Sequence, residues 1–323
     1  MDVTNITQTI TGSSASRETG KAGRNKRKGV GEGGAGIARG YAYLEARPVL
    51  VRQCQRIEII QVGVGGTGSW LFPHLVRVAR ELQKTGKEVS LKLVDPDLVL
   101  EKNLIRQHFA RAELGLPKAA CLALRYGSAW GVEAGAVTEK FSQKMVQNQA
   151  YGSSGEKLTL LVGCVDNAAA RAEMASTLKL NGNSKGAVPR IWYLDCGNYR
   201  EGGQVLLGST ADPLQLKEAF SLPGVCTWLP SPTLQHPELL IPLPEEQAEN
   251  RLSYSCAELA LMEAQSLSVN FQIAAVAADY VLRLLVVGGL KKYATYLHLP
   301  TGVTRSRYTV PGELMDYYRR PGA

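Results

Sequence analysis

The sequence predicts an α/β fold, with a mixed, mainly parallel sheet between two layers of helices. Three observations lead there. Residues 57–68, I-E-I-I-Q-V-G-V-G-G-T-G, run from a β-branched apolar strand straight into a glycine turn. Further strand-like runs lie at 89–94, 158–165 and 191–196. The 323 residues, 45% of them hydrophobic, suffice for one large α/β domain or two small ones.

Taken in order, residues 1–40 are rich in Ser, Thr, Gly and basic side chains. They cannot bury enough apolar surface to offset ordering, so a disordered basic arm is expected, followed by one domain over 41–323. Residues 1–56 hold ten Lys/Arg and four Asp/Glu, which is most of the net +8. The remainder is nearly neutral, so nucleic acid is expected to meet the arm alone, for example Lys26-Arg27-Lys28. Residues 1–30 lack an apolar leader segment, and the scattered cysteines fit a reduced, cytoplasmic protein. The most apolar stretch, 269–290, contains Asn270, Gln272, Asp279 and Arg283. It reads as a core helix, and no membrane partner is expected.

The first strand ends in Gly63, Gly65 and Gly68, which fit G-x-G-x-x-G, with Gly66 as an extra glycine. Such glycines serve a tight turn, close approach of backbone to phosphate, and close strand–helix packing. The next helix then turns its free N–H groups towards an anion. A Rossmann-like unit follows. Leu71, Leu75, Val78, Ala79 and Leu82 form the apolar stripe of a helix over 70–82. A turn around Gly86 leads to the strand at 89–94, which closes on Asp95. An acidic residue there suits a ribose.

The next residues redirect the reading. Between 95 and 118 the chain gathers Asp95, Asp97, Asn103, Arg106, Gln107 and Lys118. Redox cofactors have no use for so many cations and amides, whereas a nucleoside triphosphate has. Arg and Lys neutralise charge that builds on the α-phosphate and departing pyrophosphate. Pro117 suits the first turn of a helix and would set Lys118 at its N-terminal end. The strand at 158–165 leads to Asp166-Asn167, which reads either as a plain helix N-cap or as part of the same site. Strands follow at 191–196 and 203–207. The proline-rich stretch 212–253 is read as a long functional loop, and 257–287 as a long helix. A hairpin is read over 293–310, turning at Thr301-Gly302.

With these residues in hand, the chain resembles the ThiF/MoeB and ubiquitin-activating enzyme superfamily of adenylyltransferases. The matching motifs are 63–68, Asp95-Pro96-Asp97, Asn103 to Gln107, Leu116-Pro117-Lys118, and Cys164 to Asn167. The segments near 222, 253 and 294 are most similar to ThiF-family proteins of bacterial PRTRC clusters. The resemblance implies ATP and Mg²⁺ as cofactors, and adenylation of the C-terminal carboxylate of a ubiquitin-like or Gly-terminated protein. Gly63, Gly65, Gly66 and Gly68 would line the nucleotide site, with Asp97 and Gln107 beside it. Asp95 would hold the ribose; Asn103, Arg106 and Lys118 the triphosphate; Asp166 the metal. Asn167 would cap the next helix or touch the nucleotide. The stretches 195–198 and 203–205 resemble the family's floor beneath the adenylate.

The family also implies a crossover loop with a thioester cysteine. Cys256 qualifies, at the start of a helix that Ser255 would cap, where a thiol gains nucleophilicity. Its bland alternative is a small buried residue. Cys226 lies in mid-loop with nothing nearby to activate it. A conjugating-enzyme-like partner and a homodimer are implied as well, although no discriminating feature marks Arg47, Arg52 or Arg56 as the arginine that would act across a dimer. No C-x-x-C pair occurs among the six cysteines, so zinc is not expected. Two rivals stay open: an NAD- or FAD-binding oxidoreductase on the same glycine loop, and a non-catalytic nucleotide-binding scaffold.

Overall fold

A computed structural model describes residues 42–146, 157–182, 188–242 and 267–319. The arm read over 1–40, Cys256 with its proposed cap Ser255, and parts of the 212–253 and 257–287 readings lie outside the described residues.

The β-branched runs form strands β1 (Arg56–Val62), β2 (Glu88–Val94), β4 (Lys157–Gly163) and β5 (Ile191–Asn198). With β3 (Ala134–Val137), β6 (Gly202–Gly208), β7 (Lys292–His298) and β8 (Val303–Tyr308) they make one eight-stranded sheet, ordered β3-β2-β1-β4-β5-β6-β7-β8. The strands from β3 through β5 are parallel, and β6, β7 and β8 add antiparallel pairs. This is the mixed, mainly parallel Rossmann-like sheet that the sequence predicts.

Both faces of the central parallel strands β1, β4 and β5 are buried, as their apolar character requires, while the edge strand β3 stays largely exposed. Ile57 and Ile59 join the larger core, while Ile60 and Val62 join a smaller one with Met174 and Leu178. Helix α1 (Gly66–Lys84) covers the larger core, and all five residues of the predicted stripe are buried. It begins four residues earlier than the 70–82 reading. Glycine and serine are weak helix formers, but packing of the first turn against Gly63 outweighs that preference. β4 stops at Gly163, two residues short of the reading, although the Cys164 N–H still reaches the Val62 carbonyl at 2.8 Å.

Helix α2 (Lys118–Trp130) has Pro117 at its N-cap. Helix α3 (Ala168–Ser176) lies against the smaller core through Met174 and Ala175. The described part of the proline-rich stretch holds only short turns and α4 (Pro232–Gln235). Helix α5 (Leu267–Leu282) continues as a π turn over Arg283–Val287. Among the described residues Ser268–Val287 is the one helix long and apolar enough to cross a membrane. Val269, Ile273, Ala277, Tyr280 and Val281 bury it in the larger core. Two elements escaped the sequence reading. One is the short edge strand β3, whose A-G-A-V carries little pattern; the other is α6 (Pro311–Tyr318).

Candidate active site

Strands β1, β2 and β4 run in parallel and end level, with Val62 beside both Val94 and Gly163. The turns after them therefore share one edge of the sheet. The strand order reverses between β1 and β4, the topological switch point at which open α/β sheets form their ligand crevice. The glycine loop, Asp95 and Asp166 all leave the sheet here.

Gly63 opens the loop at φ +87°, and a Cβ there would overlap the Cys164 carbonyl. Gly68 packs as closely on the Gly63 carbonyl. Gln61, 1% exposed, stitches the turn together from below. Its Nε2 donates to Gly63 O at 3.1 Å and to Gly68 O at 2.9 Å. Gly66 opens α1, whose first N–H groups have no partner inside the helix.

Asp95 is buried and tied to the loop. One carboxylate oxygen accepts from the Val64 N–H at 2.6 Å, the other from the Asp97 N–H at 2.8 Å. Burial raises its carboxyl above the ordinary value, against the pull of these N–H groups and of Lys118. A ribose hydroxyl would have to share oxygens that already position the loop. Lys118 is 5% exposed, and its Nζ donates to Asp97 Oδ2 at 2.9 Å. Its backbone N–H meets the Asp97 carbonyl at 2.9 Å. Asp95, Asp97 and Lys118 are thus one connected unit against the glycine loop. Only one of three ammonium donors is committed to Asp97.

Asn103 shapes the next turn. It is buried and accepts from the Leu100 N–H at 2.9 Å, while its carbonyl accepts from the Gln107 N–H at 2.8 Å. Arg106 is anchored by its own carbonyl, which accepts from the Trp70 indole at 3.2 Å. The Gln107 amide stands beside Gly65, where a Cβ would lie 3.7 Å from its Nε2. Gln107 Oε1 is buried without a partner.

Asp166 leaves β4 at the same edge and is exposed; its Oδ1 accepts from Asn167 Nδ2 at 3.4 Å. Asn167 caps α3, its Oδ1 accepting from the Ala170 N–H at 2.8 Å. The helix cap holds for Asn167, then, while Asp166 stays free to face a ligand. No hydrogen bond or ion pair joins Asp166 to Lys118 among the described residues.

Two buried polar groups lie nearby; the sequence reading singled out the 195–198 stretch and Asn270 among their members but missed Arg171 and Tyr193. Arg171 reaches from α3 to Asp195 Oδ1 at 3.3 Å and to the Val165 carbonyl at 2.8 Å, and Tyr193 donates to the same Asp195 oxygen at 2.7 Å. This fixes the exit of β4 against β5. Burial raises the Asp195 carboxyl despite Arg171. The second group is Thr67, Asn198 and Asn270, which meet beside Gly66. For Asn270 the available signal was an asparagine in an apolar helix.

The cysteines sort by burial. Cys226 is fully buried, and its thiol is pushed up to about 12, so it is no nucleophile. Cys164 and Cys196 are neighbours; the hydrogen bond between them and burial hold the Cys196 thiol well above its ordinary range. Arg47 lies over the Phe220 ring at 5.1 Å, Arg52 donates to the Val188 carbonyl at 3.2 Å, and Arg56 pairs with Glu88 at 2.9 Å. Arg56 stands at the start of β1, the end of the strand remote from the glycine loop.

Residues 44–183 match the ThiF family. No curated protein matches in sequence. Similar solved structures include PaaA, at 15% identity and a TM-score of 0.48, covering 79% of this chain and 64% of that one. Another is E. coli MccB with ATP, at 13% identity and a TM-score of 0.47, covering 78% and 63%. MccB, a microcin C7 biosynthetic enzyme, has also been solved with N-formylated MccA. The chain spans less than two thirds of the length of these proteins. The glycine loop, the Asp95–Asp97–Lys118 unit and the Asn167 cap all fall within residues 44–183, the segment similar to the ThiF family.

Proposed function

We propose that this protein uses ATP to adenylate the C-terminal carboxylate of a peptide or protein. The observation that carries the reading is the buried Lys118 ammonium, which Asp97 holds in one unit with Asp95 against the glycine loop. The N–H groups opening α1 supply the complementary seat for a phosphate.

In this reaction a carboxylate oxygen of the substrate attacks the α-phosphorus. A new C–O–P linkage forms, the α–β bridging P–O bond breaks, and pyrophosphate leaves with the bond electrons. Lys118 and Arg106 neutralise charge on the transferring and departing phosphates. Asp95 and Gln61 keep the loop in register for that geometry. A Mg²⁺ ion would arrive on the triphosphate, with Asp166 as its protein ligand. The exposed Asp166 carboxylate at the switch edge fits this role, because Mg²⁺ commonly takes one or two carboxylates and fills the rest with phosphate oxygens and water. No group of three acidic, His or Cys side chains among the described residues could hold a metal unaided.

The finer reading is a ubiquitin-like or Gly-terminated substrate, thioester capture by Cys256, a conjugating-enzyme-like partner, a homodimer, and a cytoplasmic role in a PRTRC cluster. It rests on the motif resemblance. ATP–pyrophosphate exchange with a panel of Gly-terminated peptides and small proteins tests the core reaction. Exchange is expected, reduced at least about 100-fold by Lys118→Ala. Exchange absent with every substrate, or intact in Lys118→Ala, would overturn the proposal.

A further inference from the structure

Asn270 lies in the first turns of α5 and is completely buried. Its Oδ1 accepts from Asn198 Nδ2 and, at 3.4 Å, from Thr67 Oγ1. Asn198 Nδ2 also donates to Thr67 Oγ1 at 2.9 Å. Three elements, α1, β5 and α5, therefore meet through one small polar network. The network is pressed against the nucleotide loop. A Cβ on Gly66 would stand 2.7 Å from Asn270 Oδ1 and 2.8 Å from its Nδ2. The space beside Gly66 is thus filled by the Asn270 amide, which accounts for the extra glycine in the motif.

The network is one acceptor short. Asn270 Nδ2 is buried without a partner among the described residues. An amide donor in that position is unfavourable unless something negative lies close by. It sits at the N-terminus of the 19-residue α1, where the free N–H groups of the first turn carry partial positive charge. Donors from the backbone and from one orphaned side chain thus converge where nothing among the described residues answers them.

We propose that Asn270 is a positioning residue of the phosphate seat. It sets the first turn of α1 from α5, and adds a fixed dipole whose positive end favours an anion there. The inference rests on the nucleotide reading above, and it assigns to α5 a role outside the matched segment 44–183.

The test is calorimetric titration of ATP into the parent protein, Asn270→Ala and Asn270→Asp, with thermal unfolding of each. Asp keeps the shape and the acceptor for Asn198 and Thr67. It replaces the orphaned donor with a negative oxygen, which rivals the phosphate for the α1 N-terminus. The expected result is a Kd about threefold weaker for Asn270→Ala and at least tenfold weaker for Asn270→Asp, with Asn270→Asp unfolding no lower than Asn270→Ala. Equal affinity for Asn270→Asp and the parent, or equal weakening in both variants, would overturn the inference. A parent that binds ATP without pyrophosphate exchange defeats the adenylation reading alone. A parent that binds no ATP defeats both.

Discussion

Gly68→Ala sets two physical effects against each other. Gly68 lies in the first turn of α1, and in an ordinary helix alanine would be better by about 1 kcal/mol. The structure reverses the sign. A Cβ there would overlap the Gly63 carbonyl oxygen, 2.8 Å from Gln61 Nε2 and 3.0 Å from the Gly63 carbonyl carbon. Neither neighbour can retreat easily. The Gly63 N–H is tied to Val94 O at 2.9 Å, and Gln61 is buried with two bonds of its own. Overpacking of this kind costs about 1–3 kcal/mol. Losing the Gln61 bonds adds about 1 kcal/mol each. After the propensity gain, a net loss of roughly 2–4 kcal/mol remains, which for a domain of this size, at about 2 °C per kcal/mol, lowers Tm by roughly 4–8 °C. Thermal unfolding followed by circular dichroism measures it. ATP affinity, read by calorimetry, should fall too, because relief must come from moving the loop. A variant that melts at or above the parent would refute the reasoning and show that helix propensity governs the position.

Two further outcomes follow from the site. Asp166→Ala removes an exposed carboxylate with one weak side-chain contact, so stability should stay within about 0.5 kcal/mol. The Mg²⁺ concentration needed for pyrophosphate exchange should rise severalfold; an unchanged requirement would remove Asp166 from the metal role. Asp195 gives a pH signature. Burial raises its carboxyl, so the folded chain binds that proton more strongly than the unfolded chain. Its contribution to stability therefore falls as pH rises from the unfolded value of about 3.9 through the higher folded one. Urea midpoints of the parent relative to Asp195→Asn should drop across that window, and a rise would contradict the assignment.

Much of this protein was legible before any coordinates, for a local reason. Strand, glycine turn and helix follow one another within residues 57–84, so the apolar period and the glycine spacing carry the element order. The stripe from Leu71 to Leu82 found the buried face of α1 because side-chain periodicity is a property of the helix itself. The cations and amides between 95 and 118 suggested one shared site by type and spacing, and the structure joins Asp95, Asp97 and Lys118 of that set.

Only the tertiary structure decided how those groups are spent. Asp95 uses both carboxylate oxygens on backbone N–H groups, one of them across from β1, and Lys118 reaches the loop through Asp97. Asn167 turned out to be a helix cap. Gly66 owes its missing side chain to Asn270, 204 positions further along. Close approaches between segments so far apart in the chain leave no periodic trace, because they depend on which surfaces meet. Residue types and spacing set the chemistry on offer; the meeting of β1, β5, α1 and α5 at one sheet edge decided which of it is used.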